Sequence, residues 1–368
     1  MAFLKIFLKK SEFTSNAIIL MTGTTIAQAI PIFISPILTR IYSPQEFGIF
    51  AIYIAVCSIL SVVATGRYEQ VVMLPKKDED AANVVILSII VAALFSFFLL
   101  VLVSIFNVRI SVLLGNPAIS VWLYLIPLSV LTMGAYNALN YWLNRKKQFK
   151  TMSTNRIMQG SVTASGQLAF GYGGVSSVGL IGGFIIGWLT ALLFAARSYN
   201  CKSFPMQLSS VVSQAKLYRD YPRVSAPGAL LDCASVQAPI FFLTRGYEAA
   251  TVGFFSLAMR AISAPASIIG SSIGQVYFQK ISVLVHTSSE EVFPEVIKSA
   301  KKLAILAVAV FLPFIFFGSE IFEFIFGEKW RVAGDYVKII SPALLVRFIV
   351  SPLSTIFLAT GNVRLGTI

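Results

Sequence analysis

Ten stretches of roughly 20 mostly apolar residues follow one another along this chain, the length an α-helix needs to cross a bilayer core. They run over about 17–38, 47–66, 83–106, 119–140, 154–172, 178–197, 226–244, 252–276, 303–326 and 336–358. In lipid every backbone polar group must be satisfied within its own segment, so such spans are helices. The expectation is an all-α polytopic membrane protein. Only 12% of the 368 residues are charged, about half the proportion of soluble domains. The apolar surplus must therefore face lipid.

The first span has the look of a signal peptide, with Lys5, Lys9 and Lys10 ahead of an apolar core and Ala27-Gln28-Ala29 resembling a cleavage site. Apolar character continues to Leu38, and we read it as an uncleaved helix. A net charge of +13 would suggest nucleic acid on a soluble protein, but here orientation explains it. With the N-terminus in the cytoplasm, inside segments hold 21 of the 29 Lys and Arg, among them Arg67, Arg145, Lys146, Arg156, Lys216, Arg219 and Arg223. Outer turns hold Arg40, Arg109, Arg245, Lys329 and Arg331. The bias sets the topology and removes the need for a nucleic-acid partner.

Little in the chain points to catalysis. Cys57, Cys201 and Cys233 show neither CxxC nor Cys/His spacing, and His286 is the only histidine. No GxxxxGK[ST] or HExxH occurs. We therefore expect no enzyme, no metal and no cofactor.

A repeat organises the chain. Leu38, Thr39, Arg40, Tyr42, Gly48 and Phe50 return as Leu243, Thr244, Arg245, Tyr247, Gly253 and Phe255, at one constant offset. Six spans lie between the copies, so both run the same way through the membrane. Such parallel repeats are a known transporter plan. The reading is a six-helix lobe over 1–198, a cytoplasmic linker over 199–225 and a second lobe over 226–368. With four spans, the second lobe is two helices short of the first.

Ser43, Pro44 and Glu46 predict a capping box at the start of the second span. Arg40 and Arg245 close the first and seventh spans, where a cation complements the helix dipole or touches substrate. Arg67 and Glu69, two residues apart, point to different faces if they share a helix. Arg67 is either a positive-inside anchor or a phosphate contact. Asp232, Arg260 and Arg347 lie roughly 18, 12 and 16 Å from the outer ends of their spans at 1.5 Å per residue. Ionised groups at that depth belong in a polar interior. Either Asp232 neutralises an arginine, or the arginines form an anion site. Gly179, Gly183 and Gly187, and also Gly270 and Gly274, predict close helix packing. Pro31, Pro36, Pro239 and Pro265 predict kinks.

The stretches Leu38–Gly48, Arg67-Tyr68-Glu69-Gln70 and Leu74–Asn83 resemble bacterial polysaccharide and O-antigen flippases (Wzx-type). These belong to the multidrug/oligosaccharidyl-lipid/polysaccharide exporter superfamily. The resemblance implies a MATE-like fold of two six-helix lobes around a V-shaped cavity that opens alternately to the two membrane faces. It implies an inner-membrane protein whose cargo is a polyprenyl-pyrophosphate-linked oligosaccharide, acting beside polysaccharide polymerase partners. The family has twelve to fourteen spans where this chain has ten. The alternatives are a multidrug/cation antiporter, an inactive truncated product, and a membrane polymerase or glycosyltransferase. Short outer turns with few carboxylates argue against the last.

Overall fold

The computed structural model describes residues 12–174, 176–199, 208–263 and 289–354, together with Tyr277, Ile281 and Leu284. Every regular element among them is helical. In chain order we label α1 Glu12–Ile41, α2 Pro44–Ala64, α3 Asp78–Leu113, α4 Ile126–Arg145, α5 Phe149–Tyr172 and α6 Ser176–Arg197. There follow α7 Leu208–Leu217, α8 Ala226–Gly246, α9 Ala249–Ser263, α10 Ser289–Phe326 and α11 Arg331–Leu353.

Among the described residues seven helices are long and apolar enough to cross a membrane, or eight if one bent pair counts as a single span. That pair is Pro117–Leu123 and α4, meeting at 54°. Pro127 accounts for the break: it donates no hydrogen bond and its ring would clash with the carbonyl of Leu123, four residues back. The expected fifth span, α5, is a helix too polar to meet the same criterion. The expected eighth is described only as far as Ser263, so Pro265, Gly270 and Gly274 lie outside the described residues.

The capping box forms as expected. Glu46 accepts from the Ser43 backbone at 2.7 Å and from its hydroxyl at 2.9 Å, while the Ser43 hydroxyl accepts from the Glu46 backbone. α2 thus starts with its first-turn donors satisfied and Pro44 where no donor is needed.

The described residues divide into two compact units, one of 12–34 with 41–253 and one of 35–40 with the described residues from 254 to 354. In the first unit α5 and α6 form a tight antiparallel pair. A Cβ on Gly166 would lie 3.1 Å from the Gly183 backbone, and one on Gly183 would lie 2.6 Å from Gln167. Gly187 and Gly179 likewise leave room for Thr163, Phe170 and Tyr42, so the predicted glycine row is the packing seam. Tyr42 donates to the Gln167 carbonyl at 2.7 Å, and Gln167 donates to the Leu180 carbonyl at 3.1 Å.

The linker is partly helical and docked. Val211 of α7 is buried in a core with Tyr68, Val71, Val85, Trp142 and Leu143, and Ala215, Tyr218 and Tyr221 pack on its edge. Tyr68 donates to the Ala215 carbonyl at 3.2 Å. A π-helical turn, Tyr221–Ser225, then leads into α8.

In the second unit α10 and α11 cross where Gly318 and Gly334 face each other. A Cβ on Gly318 would sit 2.8 Å from the Gly334 carbonyl. Trp330, fully buried, donates its indole N–H to the Thr39 carbonyl at 2.9 Å and meets Phe254 edge to face.

Candidate functional site

Arg40 and Arg245 end α1 and α8 as exposed residues, while their neighbours Thr39 and Thr244 are buried. Position in the last helical turn favours a cation.

Arg67 and Glu69 depart from the sequence expectation. α2 ends at Ala64, and Gly66 (φ 60°) and Arg67 (φ 64°) then turn left-handed. The two side chains are therefore not on one regular helix, and Arg67 reaches Glu69 at 3.6 Å. Glu69 is buried and also accepts from the Thr65 hydroxyl. Burial outweighs these partners and pushes its carboxyl above the usual range. The Arg67 Nε is buried without a hydrogen bond. This turn lies against the linker, with Pro222 3.4 Å from where a Gly66 Cβ would stand.

Of the three residues expected at mid-depth, Asp232 is exposed on α8 in the first unit. In the second unit Arg260 of α9 is half-buried and Arg347 of α11 is exposed. Among the described residues neither arginine has a carboxylate partner in its own unit, and Asp232 has no cationic one.

The second unit holds an acidic group that sequence reading passed over. Glu323 accepts from Arg331 at 2.6 Å, and Glu320 lies 3.8 Å from Arg331 and 3.5 Å from Lys338. Ser319 donates to Asp335. The two glutamates are thus matched by cations across the α10–α11 crossing, and no three His, Cys, Asp or Glu of the described residues cluster as metal ligands.

In the first unit the sequence also missed Arg156, which it placed among loop cations. Arg156 is two turns inside α5 and donates to the Thr24 hydroxyl of α1 at 2.6 Å. The buried Tyr136 of α4 lies beside it. Neighbouring polar groups of α5 hold the helices around it, Ser153 donating to the Ile19 carbonyl at 2.9 Å and Asn155 to the Ala191 carbonyl at 3.0 Å. The signal was α5 itself, a polar helix among apolar spans, which in a membrane marks an inward-facing polar lining.

Where the start of α3 meets the end of α4, Arg145 donates to Asp78 at 2.9 Å and to the Val72 carbonyl at 3.1 Å, and Lys146 also pairs with Asp78. These cations fasten the loop over 72–78 and are not free for a ligand.

A family described as "Polysaccharide biosynthesis protein" matches residues 37–335. No curated protein matches the chain. Among solved structures, the inward-facing conformation of a multidrug resistance MATE family transporter of the MOP superfamily superposes with a TM-score of 0.59 at 15% identity. It covers 92% of this chain and 81% of that one. An outward-facing structure of a transporter of the same description gives 0.58 at 15% identity, covering 95% and 83%. A MATE in complex with Br-NRF gives 0.51 at 14% identity, covering 95% of both. At these identities the likeness is one of fold, and the fold is MATE-like.

Proposed function

Because the chain belongs to the polysaccharide biosynthesis protein family, we propose that it is a non-enzymatic flippase for a polyprenyl-pyrophosphate-linked oligosaccharide. It moves this cargo from the cytoplasmic to the periplasmic leaflet of the bacterial inner membrane by alternating access, N-terminus in the cytoplasm, and hands it to a polysaccharide polymerase for surface polysaccharide such as O-antigen. One observation carries the cargo class. Arg347 sits within a helix long and apolar enough to span a membrane, Arg156 and Arg260 sit inside α5 and α9, and among the described residues none of the three has a carboxylate partner in its own unit. A cation so placed is costly unless water or an anion solvates it, and guanidinium grips phosphate oxygens bidentately. A carrier of cationic drugs would need free carboxylates, whereas Glu320 and Glu323 are engaged by Arg331 and Lys338, which leaves Asp232 against three arginines that have no carboxylate partner.

The test is complementation. In a bacterium lacking its own flippase and making the matching repeat unit, the chain should restore surface polysaccharide. Arg347→Ala should abolish that restoration with normal protein abundance in the membrane. Normal polysaccharide from both the Arg260→Ala and Arg347→Ala variants would reject a cationic path.

A further inference from the structure

The unexplained group in the first unit is Arg156. It stands seven residues past Phe149, roughly 10 Å along α5 from its start. α1 and α5 approach so closely there that a Cβ on Gly23 would collide with Ser153. Thr24 is fixed by donating to the Leu20 carbonyl at 2.8 Å, so its oxygen is turned to accept from Arg156. That contact orients the guanidinium and uses one of its five N–H groups. Tyr136 faces the guanidinium from α4, only 5% exposed and near enough for Arg156 to act on its phenol oxygen, while its own O–H meets no acceptor. One turn further on, Asn140 also carries a buried oxygen without a partner.

Among the described residues, the helices that meet at Arg156 carry almost no negative charge. α4, α5 and α6 contain no aspartate or glutamate, and α1 contains only Glu12, three turns before Thr24. A structural arginine at this depth would be expected to carry a carboxylate partner. An oriented, uncompensated guanidinium beside a phenol whose O–H has no acceptor is instead a donor set suited to an anion.

We propose that Arg156 and Tyr136 form a binding subsite for a phosphate or diphosphate group, held by the guanidinium and the phenol at inner-leaflet depth. That the phosphate belongs to a lipid head group rests on the flippase reading; the anion chemistry does not. Thr24 is a positioning residue, holding the guanidinium toward Tyr136.

The test uses the purified full chain in detergent, with farnesyl diphosphate and inorganic pyrophosphate as probes and native mass spectrometry as the readout. Farnesyl diphosphate should bind, and Arg156→Ala should weaken it about tenfold or more, as loss of a charge-assisted contact requires. Arg156→Gln keeps a donor for Thr24 but removes the charge, so it should lose the probe while keeping the wild-type melting temperature. Arg156→Lys should recover part of the affinity, and Tyr136→Phe should weaken binding severalfold. Tighter binding of farnesyl diphosphate than of pyrophosphate assigns the subsite to a lipid head group, and the reverse assigns it to a free anion. Unchanged probe binding by folded Arg156→Gln and Tyr136→Phe proteins overturns the subsite. If the chain moves no lipid-linked cargo yet binding still depends on Arg156, the flippase reading falls and the subsite stands.

Discussion

Gly48 and Gly253, at equivalent positions of the two repeats, make the same contact in opposite directions. A Cβ on Gly48 would collide with the carbonyl of Ala249, and one on Gly253 would collide with the carbonyl of Pro44. Pro44 and Ala249 are themselves separated by the repeat offset, so the contact is isologous within one chain. The flanking turns repeat the relation. Gly115, after α3, sits where a Cβ would lie 2.6 Å from the Thr244 carbonyl, and Trp330, after α10, bonds the carbonyl of Thr39, the repeat partner of Thr244. Both α3 and α10 also carry a non-helical residue, Phe106 and Phe317, shortly before a left-handed glycine and a single 3-10 turn. The duplication is thus visible in contacts as well as in letters.

The crossing should be intolerant of side chains. Gly48→Val and Gly253→Val should each destabilise the protein by about 1–3 kcal/mol, the usual cost of overpacking, read as a lower melting temperature in detergent. Gly228→Ala, on α8 with nothing within 4 Å of its added methyl, is the control and should leave or raise it.

Trp330→Phe keeps a ring against Phe254 but removes the bond to Thr39. It should cost about 1 kcal/mol, the net worth of a buried hydrogen bond. Gly115→Ala should cost more, since it meets the Thr244 carbonyl and forces φ of +74° on a residue with a Cβ. Thermal melts of the two variants in parallel check the order.

Glu69 gives a pH signature. Its folded carboxyl is held above the ordinary range by burial, so its contribution to stability is complete below the unfolded carboxylate value and is lost as pH rises through the folded one. Relative to wild type, Glu69→Gln should therefore gain melting temperature as pH is raised from about 4 towards neutrality, where unperturbed glutamate is already ionised. A difference that stays flat over that range would place Glu69 in an unperturbed site.

Topology has its own test. Ser209, exposed at the start of α7, should as a cysteine resist a membrane-impermeant thiol reagent in intact cells and react after permeabilisation. Labelling in intact cells would invert the orientation read from the positive-inside bias.

Local chemistry explains what was legible. The capping box needs only Ser43, Pro44 and Glu46 in sequence, and the glycine row of α6 needs only its spacing, so both read directly. The Arg67–Glu69 contact did not, because it depends on left-handed backbone at Gly66 and Arg67 that helical spacing rules do not anticipate. Arg156 was misplaced because counting charges by side treats every basic residue near a loop as an anchor, whereas its bond to Thr24 spans 132 residues. The unit boundary within α1 was hidden for a similar reason: Thr39 is tied to Trp330, far along the chain.

The central claim, movement of an anionic lipid-linked cargo, is tested most directly in sealed vesicles containing the purified chain and a fluorescent polyprenyl-diphosphate-linked oligosaccharide in both leaflets. A membrane-impermeant quencher bleaches about half the signal in protein-free vesicles. With the chain present, the account predicts bleaching beyond that half, at a rate that falls at least tenfold in Arg347→Ala. Bleaching that stops at half with the folded wild-type chain, or that proceeds equally fast in the variant, would contradict it.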